Sequence, residues 1–182
     1  TATDAGGLAY SQRFTLTVSD VNEAPTALAL DATTVAENAA GAVVGNLTVT
    51  DPDAGDVHRF TVDDARFEVV DGALKLKAGE ALDAEAEPEV TLTVTATDAG
   101  GLSYSQAFTV TIADVNEAPM ALALDGTTLA ENAEGAVVGR QTVTDPDADD
   151  VHRFAVDDAR FEVVEGALKL KAGEALDAEA EP

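Results

Sequence analysis

The chain has 182 residues, 35 of them Asp or Glu against 10 Lys or Arg, and a formal net charge of −25. That charge disfavours polyanionic partners such as nucleic acid or an acidic membrane face and makes cations, basic surfaces or water the natural neighbours. With no Cys, disulfides and thiolate metal sites are excluded, no apolar run is long enough to span a bilayer, and 46% hydrophobic residues argue for a folded chain over a disordered one.

Sliding the sequence on itself by 94 residues aligns Thr1 with Thr95 and Pro88 with Pro182 and leaves 14 mismatches in 88 pairs. A period of that length is a whole domain, not a solenoid turn. The opening Thr1-Ala2-Thr3-Asp4 recurs as Thr95-Ala96-Thr97-Asp98, so the sequence starts inside a unit and a missing export signal carries no meaning. Cut at the prolines, the expected frame is the C-terminal strands of a preceding repeat (1–23), one complete repeat (24–118) and the N-terminal part of a following repeat (119–182). The last piece lacks a counterpart of Glu89-Val90-Thr91-Leu92-Thr93-Val94, and Thr1–Asp20 of a neighbouring chain is the expected closing strand.

Within the complete repeat, short segments of period-2 alternation rich in Thr, Val, Leu and Phe predict strands. They fall at Ala27–Leu30, Thr33–Ala36 and Ala42–Thr50, with Gly45 as a bulge, then at Arg59–Val62, Arg66–Val70 and Ala73–Lys77. Asp71-Gly72 is a hairpin turn. Gly79–Pro88 is acidic and Ala-rich, enough for a helical turn. The longest alternating stretches, Glu89–Thr97 and Ser103–Ala113, point Leu92, Val94, Phe108, Val110 and Ile112 inward and are joined through Asp98-Ala99-Gly100-Gly101. About seven strands in one period predict an all-β fold of tandem seven-stranded Greek-key β-sandwich domains. Small apolar side chains and 4% aromatic residues imply a modest core. The exchange of Leu47 for Gln141 at an inward position requires a register shift or an edge.

Oxygen donors gather in short motifs. Asp114-Val115-Asn116-Glu117-Ala118-Pro119 joins two copies of the repeat and occurs earlier as Asp20-Val21-Asn22-Glu23-Ala24-Pro25. Glu37-Asn38, Asp83 with Glu85, and Asp145 with Asp147 are the acidic segments able to meet it, a pattern that reads as a hard-cation junction. His58 and His152, one per repeat at strand starts, read as structural. Asp63-Asp64 and Asp157-Asp158 read as turns, because neighbouring strand residues face opposite ways and no nucleophile accompanies them. Lys75, Lys77, Lys169 and Lys171 read as solubilising. Asp51–Asp56 lacks the glycine and terminal Glu of an EF-hand, and the Asp-x-x-Gly-Gly segments lack a tandem nonapeptide.

Five motifs in order, Ala36-Glu37-Asn38, Asp51-Pro52-Asp53, Leu82-Asp83-Ala84-Glu85, Thr97-Asp98 and the Asp-Val-Asn-Glu-Ala-Pro linkers, resemble cadherin-type repeats in the bacterial form found in large surface adhesins. The resemblance covers the whole chain and implies Ca²⁺ at each junction, about three ions where the junction is complete. Carried over, the complete junction uses Glu37, Asp83, Glu85, Asp114, Asn116, Glu117, Asp145 and Asp147. The N-terminal junction uses Asp20, Asn22, Glu23, Asp51, Asp53 and Asp98 without the preceding repeat's acidic loop, and so implies weaker or fewer ions. Glu117 stands where the family usually has Asp, and Ala118 where Asn is common. Seven carboxylates at the complete junction are nearly neutralised by three calcium ions, whereas bare neighbours at about 4 Å repel by roughly 1 kcal/mol per pair even in water.

The resulting expectation is a non-enzymatic, calcium-rigidified extender segment of a secreted or cell-surface bacterial adhesin, of the kind associated with biofilm, holding a distal binding domain away from the cell. Its partners are the adjacent repeats, with strand complementation between chains, no nucleic acid and no direct membrane insertion. The alternatives are a homophilic or glycan-binding adhesion module, for which exposed aromatic material is scarce, and an accessory domain of a secreted enzyme.

Overall fold

A computed structural model describes residues 1–180; Glu181 and Pro182, which close the expected 119–182 segment and its alignment with Pro88, lie outside the described residues. All regular structure in the described residues is β: β1 Ala2–Thr3, β2 Ala9–Tyr10, β3 Ala27–Leu30, β4 Thr34–Ala36, β5 Val43–Thr50, β6 Arg59–Val62, β7 Phe67–Val70, β8 Ala73–Leu76, β9 Glu89–Thr97, β10 Ser103–Ala113, β11 Ala121–Leu124, β12 Val137–Thr144, β13 Phe161–Val164 and β14 Ala167–Leu170. Two compact units divide the chain. The first takes Thr1–Thr33, Gly41–Glu80 and Thr91–Val110; the second takes Thr34–Ala40, Ala81–Val90 and the chain from Thr111 onward.

In the first unit, β3, β5, β8 and β7 form an antiparallel sheet in that order. The ladder shifts between Val43 and Gly45 opposite β8, which is the predicted bulge. A Cβ on Gly45 would lie 2.7 Å from the Ala32 carbonyl and from Asp31 Oδ1, so only glycine lets these segments approach. The hairpin between β7 and β8 turns at Asp71 (φ 50) and Gly72 (φ 80), the two positive angles a type I′ turn requires. Opposite this sheet, β6 pairs antiparallel with the C-terminal half of β9, Arg59 opposite Thr97. Hydroxyl pairs Thr91–Thr109, Thr95–Ser105 and Thr97–Ser103 link β9 to β10 on the solvent face. The inner faces supply the core: Leu28, Val44, Phe67, Leu74 and Leu76 from one sheet, Leu92, Val94, Ala96 and Val110 from the other. Phe108, expected inside, is half-buried.

The N-terminal hairpin β1–β2 is two residues per strand and exposed, and residues 11–26 carry no strand. Their alternating Phe14, Leu16 and Val18 are exposed, Leu16 at 92%, although the aligned Phe108, Val110 and Ile112 lie in β10. An isolated ribbon with no sheet to join is marginal in water.

In the second unit, β4 runs parallel to the end of β10, Val35 opposite Ile112, and Val35, Leu82, Val90 and Ile112 are buried. The acidic Gly79–Pro88 segment makes the expected helical turn, closed by Glu87 N to Asp83 O at 3.0 Å, and no longer helix. A further sheet, β11-β12-β14-β13, repeats the β3-β5-β8-β7 pairing register for register, including the bulge at Gly139. Gln141 pairs with Leu124 as Leu47 pairs with Leu30, and both positions are half-buried. Both strands, β5 and β12, lie inside their sheets, so of the two expected reasons the edge is absent and the register shift, at Gly45 and at Gly139, is present in both copies; the Gln141 Oε1 atom is buried without a hydrogen bond.

Arg66 caps the turn before β7 through Asp64, Arg160 does so through Asp158, and Lys77 and Lys171 donate to the Ala65 and Ala159 carbonyls. These two lysines, expected only to solubilise, fasten turns.

Candidate metal centre

All eight oxygen-bearing residues expected at the complete junction fall in the second compact unit, and all six expected at the N-terminal junction fall in the first.

Glu37 organises the second-unit cluster. It follows β4, whose ladder continues through Glu37 N to Ala113 O at 3.0 Å, and its side chain is sealed in at 2% exposure. Its two carboxylate oxygens accept the main-chain N–H of Ala84 and of Val115, each at 2.7 Å, so one side chain pins both the acidic loop and the linker. The N–H of Ala84 and then that of Val115 hold the Glu37 carboxyl below its ordinary range against the opposing effect of burial. Asn38 follows in the left-handed region (φ 56), where Asn is among the tolerated residues. It donates its main-chain N–H to Leu82 O and its amide to Glu117 Oε1 at 2.6 Å.

Around Glu37 the carboxylates crowd. Oxygens of Glu37, Glu85 and Asp114 lie within 4.8 Å of one another, and so do those of Glu85, Glu117 and Asp147, with Glu85 common to both groups. At Glu85 its own N–H lowers the carboxyl, but desolvation and the charges of Glu37, Asp114 and Glu117 outweigh it and raise the group. Asp114 is raised by desolvation and then by Asp147 and Glu37. Asp147 Oδ2 accepts Glu117 N–H at 2.7 Å, and Asn116 donates its amide nitrogen to Glu117 O at 2.8 Å, a bond that does not occupy its side-chain carbonyl oxygen. Asp83 uses Oδ1 to accept Ala86 N–H and shape the loop. Asp145 Oδ1 accepts Asp147 N–H at 3.2 Å while Oδ2 meets His152 Nε2 at 2.6 Å. Glu85, Asp114, Asn116 and Asp147, with Asp149 and Asp150, line a cleft of about 340 Å³.

The first-unit cluster is built alike. Glu23 N–H donates to Asp53 Oδ2 at 2.8 Å, Asp53 N–H to Asp51 Oδ1 at 2.9 Å, and the Asn22 amide to Asp98 Oδ2 at 2.9 Å. Asp98 is 5% exposed. Burial pushes its carboxyl up, but the Asn22 amide and the N–H groups of Leu102, Gly101 and Gly100 more than compensate and hold it low. A Cβ on Gly100 would lie 2.6 Å from Asn22 Oδ1, so a side chain there would push the exposed Asn22 amide off Asp98. Oxygens of Asp20, Glu23 and Asp53 form one close group and those of Asp51, Asp56 and Asp98 another. Desolvation, then Asp53, raises Glu23.

Two positions were not anticipated. Asp56 joins Asp51 and Asp98, and Asp150 joins Asp145 and His152. The signal lay in Asp51–Asp56 and its copy Asp145–Asp150, where the N–H of Asp56 donates to Asp53 O and that of Asp150 to Asp147 O, closing each loop toward its first carboxylate.

The donors are almost all oxygen, carboxylate oxygens of three residues at a time lie within 4.8 Å of one another, and Glu117 Oε2 and Asp56 Oδ2 are buried with no hydrogen bond. Such a set fits a hard divalent cation taking six to eight oxygens in adaptable geometry, as Ca²⁺ does; Zn²⁺ would seek His or Cys.

Fold and site together define a β-sandwich repeat protein with acid-lined loops. Residues 31–113 match the family model described as Cadherin domain, and the sandwich is of the cadherin type. The chain is 34% identical over 172 residues to human Cadherin-17, covering 86% of this chain and 20% of that protein. In structure it is similar to Human Protocadherin-24 EC1-2, with TM-score 0.63 at 18% identity over 88% of this chain and 82% of that one. It is also similar to Protocadherin Gamma B2 extracellular cadherin domains 1-5, with TM-score 0.60 at 25% identity over 90% of this chain and 35% of that one. The chain thus spans about a fifth of Cadherin-17, and 43% of a Protocadherin Gamma B7 structure.

Proposed function

We propose that this chain is a calcium-rigidified extender segment of an extracellular, cell-surface adhesin of the bacterial type, holding a distal binding domain away from the cell. The repeat frame of the proposal is 1–23, 24–118 and 119–182, with calcium shared between successive repeats. The observation that carries it is the paired grip of Glu37 on Ala84 and Val115, which brings Glu85, Asp114, Glu117 and Asp147 into adjoining groups with a buried, unpartnered oxygen on Glu117.

Glu37, Asp83, Glu85, Asp114, Asn116, Glu117, Asp145 and Asp147 would hold about three ions. Asp20, Asn22, Glu23, Asp51, Asp53 and Asp98 would hold fewer. The protein's part is to preset the oxygens; the ion supplies the positive charge that removes their repulsion and stiffens the tether. Extracellular modules of this kind bind calcium at roughly 10⁻⁴ to 10⁻³ M, so low cytosolic calcium leaves the chain soft for export. No catalytic role is assigned. The bacterial attribution rests on the motif resemblance, and adhesion on the likeness to cadherins.

Small-angle scattering with and without millimolar calcium tests the reading. Stiffening is expected in the unmutated chain and not in Asp147→Asn or Glu85→Gln; equal scattering curves in the unmutated chain at both calcium levels reject it.

A second reading concerns strand exchange. Thr128–Ala130, the counterpart of β4, carries no strand, and Leu124, Leu129, Val138, Phe161, Leu168 and Leu176 line a neighbouring apolar groove of about 370 Å³. Phe14, Leu16 and Val18 of another copy match the strand that β4 accompanies in the complete repeat. Sedimentation should then reveal association that Leu16→Asp removes; a strictly monomeric chain with an ordered 119–180 segment rejects the exchange.

A further inference from the structure

Each Asp-x-Asp loop is followed by a histidine turned back onto it. His58 Nε2 lies 2.8 Å from Asp51 Oδ2 and His152 Nε2 2.6 Å from Asp145 Oδ2. Neither pair is at the open surface: the side chains are 11% and 6% exposed in the first and 22% and 4% in the second. An ionised carboxylate only accepts hydrogen bonds, so in each ring Nε2 carries the hydrogen. The other oxygen of the same carboxylate takes the N–H two residues on, from Asp53 or Asp147. Each aspartate is therefore clamped at both oxygens, one by main chain and one by imidazole. In this clamped state an Asp51 oxygen lies within 4.8 Å of oxygens of Asp56 and Asp98.

We infer that His58 and His152 are positioning residues for the cation sites: each fixes the first aspartate of its loop in the orientation that faces the ion, without touching the ion itself. The inference rests on the cation reading above. A carboxylate free to rotate must be ordered when the ion arrives, and a hydrogen bond already made removes that cost. The two copies of the loop differ on both sides of the histidine, Gly55 against Asp149 and Thr61 against Ala155, yet the imidazole-to-carboxylate bond is made in both. Packing alone gives no reason for Nε2 to meet Oδ2 in each. His152 stands close enough to Asp145 and Asp150 to share an ion with them, but its Nε2 hydrogen is engaged on Asp145, so the imidazole acts on the ligand, not as one.

Calcium titration calorimetry on the full chain and on H58F, H58Q, H152F and H152Q tests this, with melting in EGTA as control. Phe keeps the ring volume and loses the donor; Gln restores an N–H at similar reach. Each Phe variant is expected to weaken calcium binding at its own loop by about tenfold, and each Gln variant to return within about threefold of the unmutated chain. Melting in EGTA should drop by at most a few degrees in the Phe variants, which leave one oxygen of a buried aspartate without its partner, and recover in the Gln variants. Unchanged affinity in both Phe variants, or equal weakening by Phe and Gln, overturns the inference. So does unfolding of both Phe variants in EGTA, which would assign the rings to the core. An unmutated chain that takes up no calcium overturns the cation reading instead, and is recognised as such because no variant is needed to see it.

Discussion

The main-chain N–H of Glu117 donates to Asp147 Oδ2 at 2.7 Å, and the same bond recurs one repeat earlier between Glu23 and Asp53 at 2.8 Å. In both places the linker backbone is hydrogen-bonded to the second aspartate of the Asp-x-Asp loop 30 residues further on, before any ion is considered. A linker so fastened keeps Asp114 and Glu117, like Asp20 and Glu23 before them, beside the carboxylates of the acidic loops. The desolvated charge gathered there is what a cation would neutralise.

Replacing Asp147 by Asn keeps an acceptor for Glu117 N–H and removes one charge from the group it shares with Glu85 and Glu117. Calcium affinity at that junction should fall on the order of tenfold, with melting in EGTA unchanged or slightly raised because repulsion is relieved. Calorimetry and thermal denaturation in EGTA check the two halves.

Gly100→Ala places a methyl group 2.6 Å from Asn22 Oδ1 and must displace the amide that bonds Asp98. A loss of about 1–3 kcal/mol by urea denaturation is expected, the cost of taking a hydrogen bond from a buried carboxylate. Loosening of Asp98 should appear together with it as weaker cation binding at the N-terminal junction.

The carboxyl of Asp158 is held at about 2, first by the side-chain bond from Arg160 and then by the Arg160 N–H. Because the folded value is depressed below the ordinary 3.8, the stabilising contribution is complete above that value and is lost as pH falls toward 2. Arg160→Gln removes the side-chain bond and keeps the main-chain one, so Asp158 should titrate closer to its ordinary value while staying below it, and the stability curve between those two values should become shallower. Carboxyl-carbon NMR titration and acid denaturation of both proteins give the measurement.

In EGTA, Glu85 and Asp114 should titrate above their ordinary ranges and Glu37 below its own. For the two raised groups the folded state holds its protons longer than the unfolded one, so their contribution to stability falls as pH rises through the folded values. Calcium should abolish that decline at neutral pH. Melting temperatures followed from pH 4 to 7, with and without calcium, test the sign.

Leu92→Ala removes a 1% exposed side chain from the face of β9 that meets the opposite sheet. With so few aromatic residues nearby to collapse into the gap, a loss of about 2–5 kcal/mol is expected in chemical denaturation.

The strands were legible because alternation in β9 and β10 and the Asp71-Gly72 turn impose one geometry through local sterics alone. The repeat itself was legible from identity at a fixed period, and the acidic motifs from their order. Sequence by itself therefore determined that this is an all-β repeat protein with carboxylates concentrated in its loops. Only the tertiary structure decided which oxygens share a space. Residues 37, 85 and 114 are far apart along the chain, and nothing local states that Glu37 would be buried to hold Ala84 and Val115, that Asp56 would turn back toward Asp51, or that each histidine would face an aspartate. Exposure of Phe14, Leu16 and Val18 belongs to the same class. Their alternation specifies a strand, but a strand becomes one only when a neighbouring edge takes its hydrogen bonds, and the presence of that edge is a fact of packing, not of the segment's own sequence.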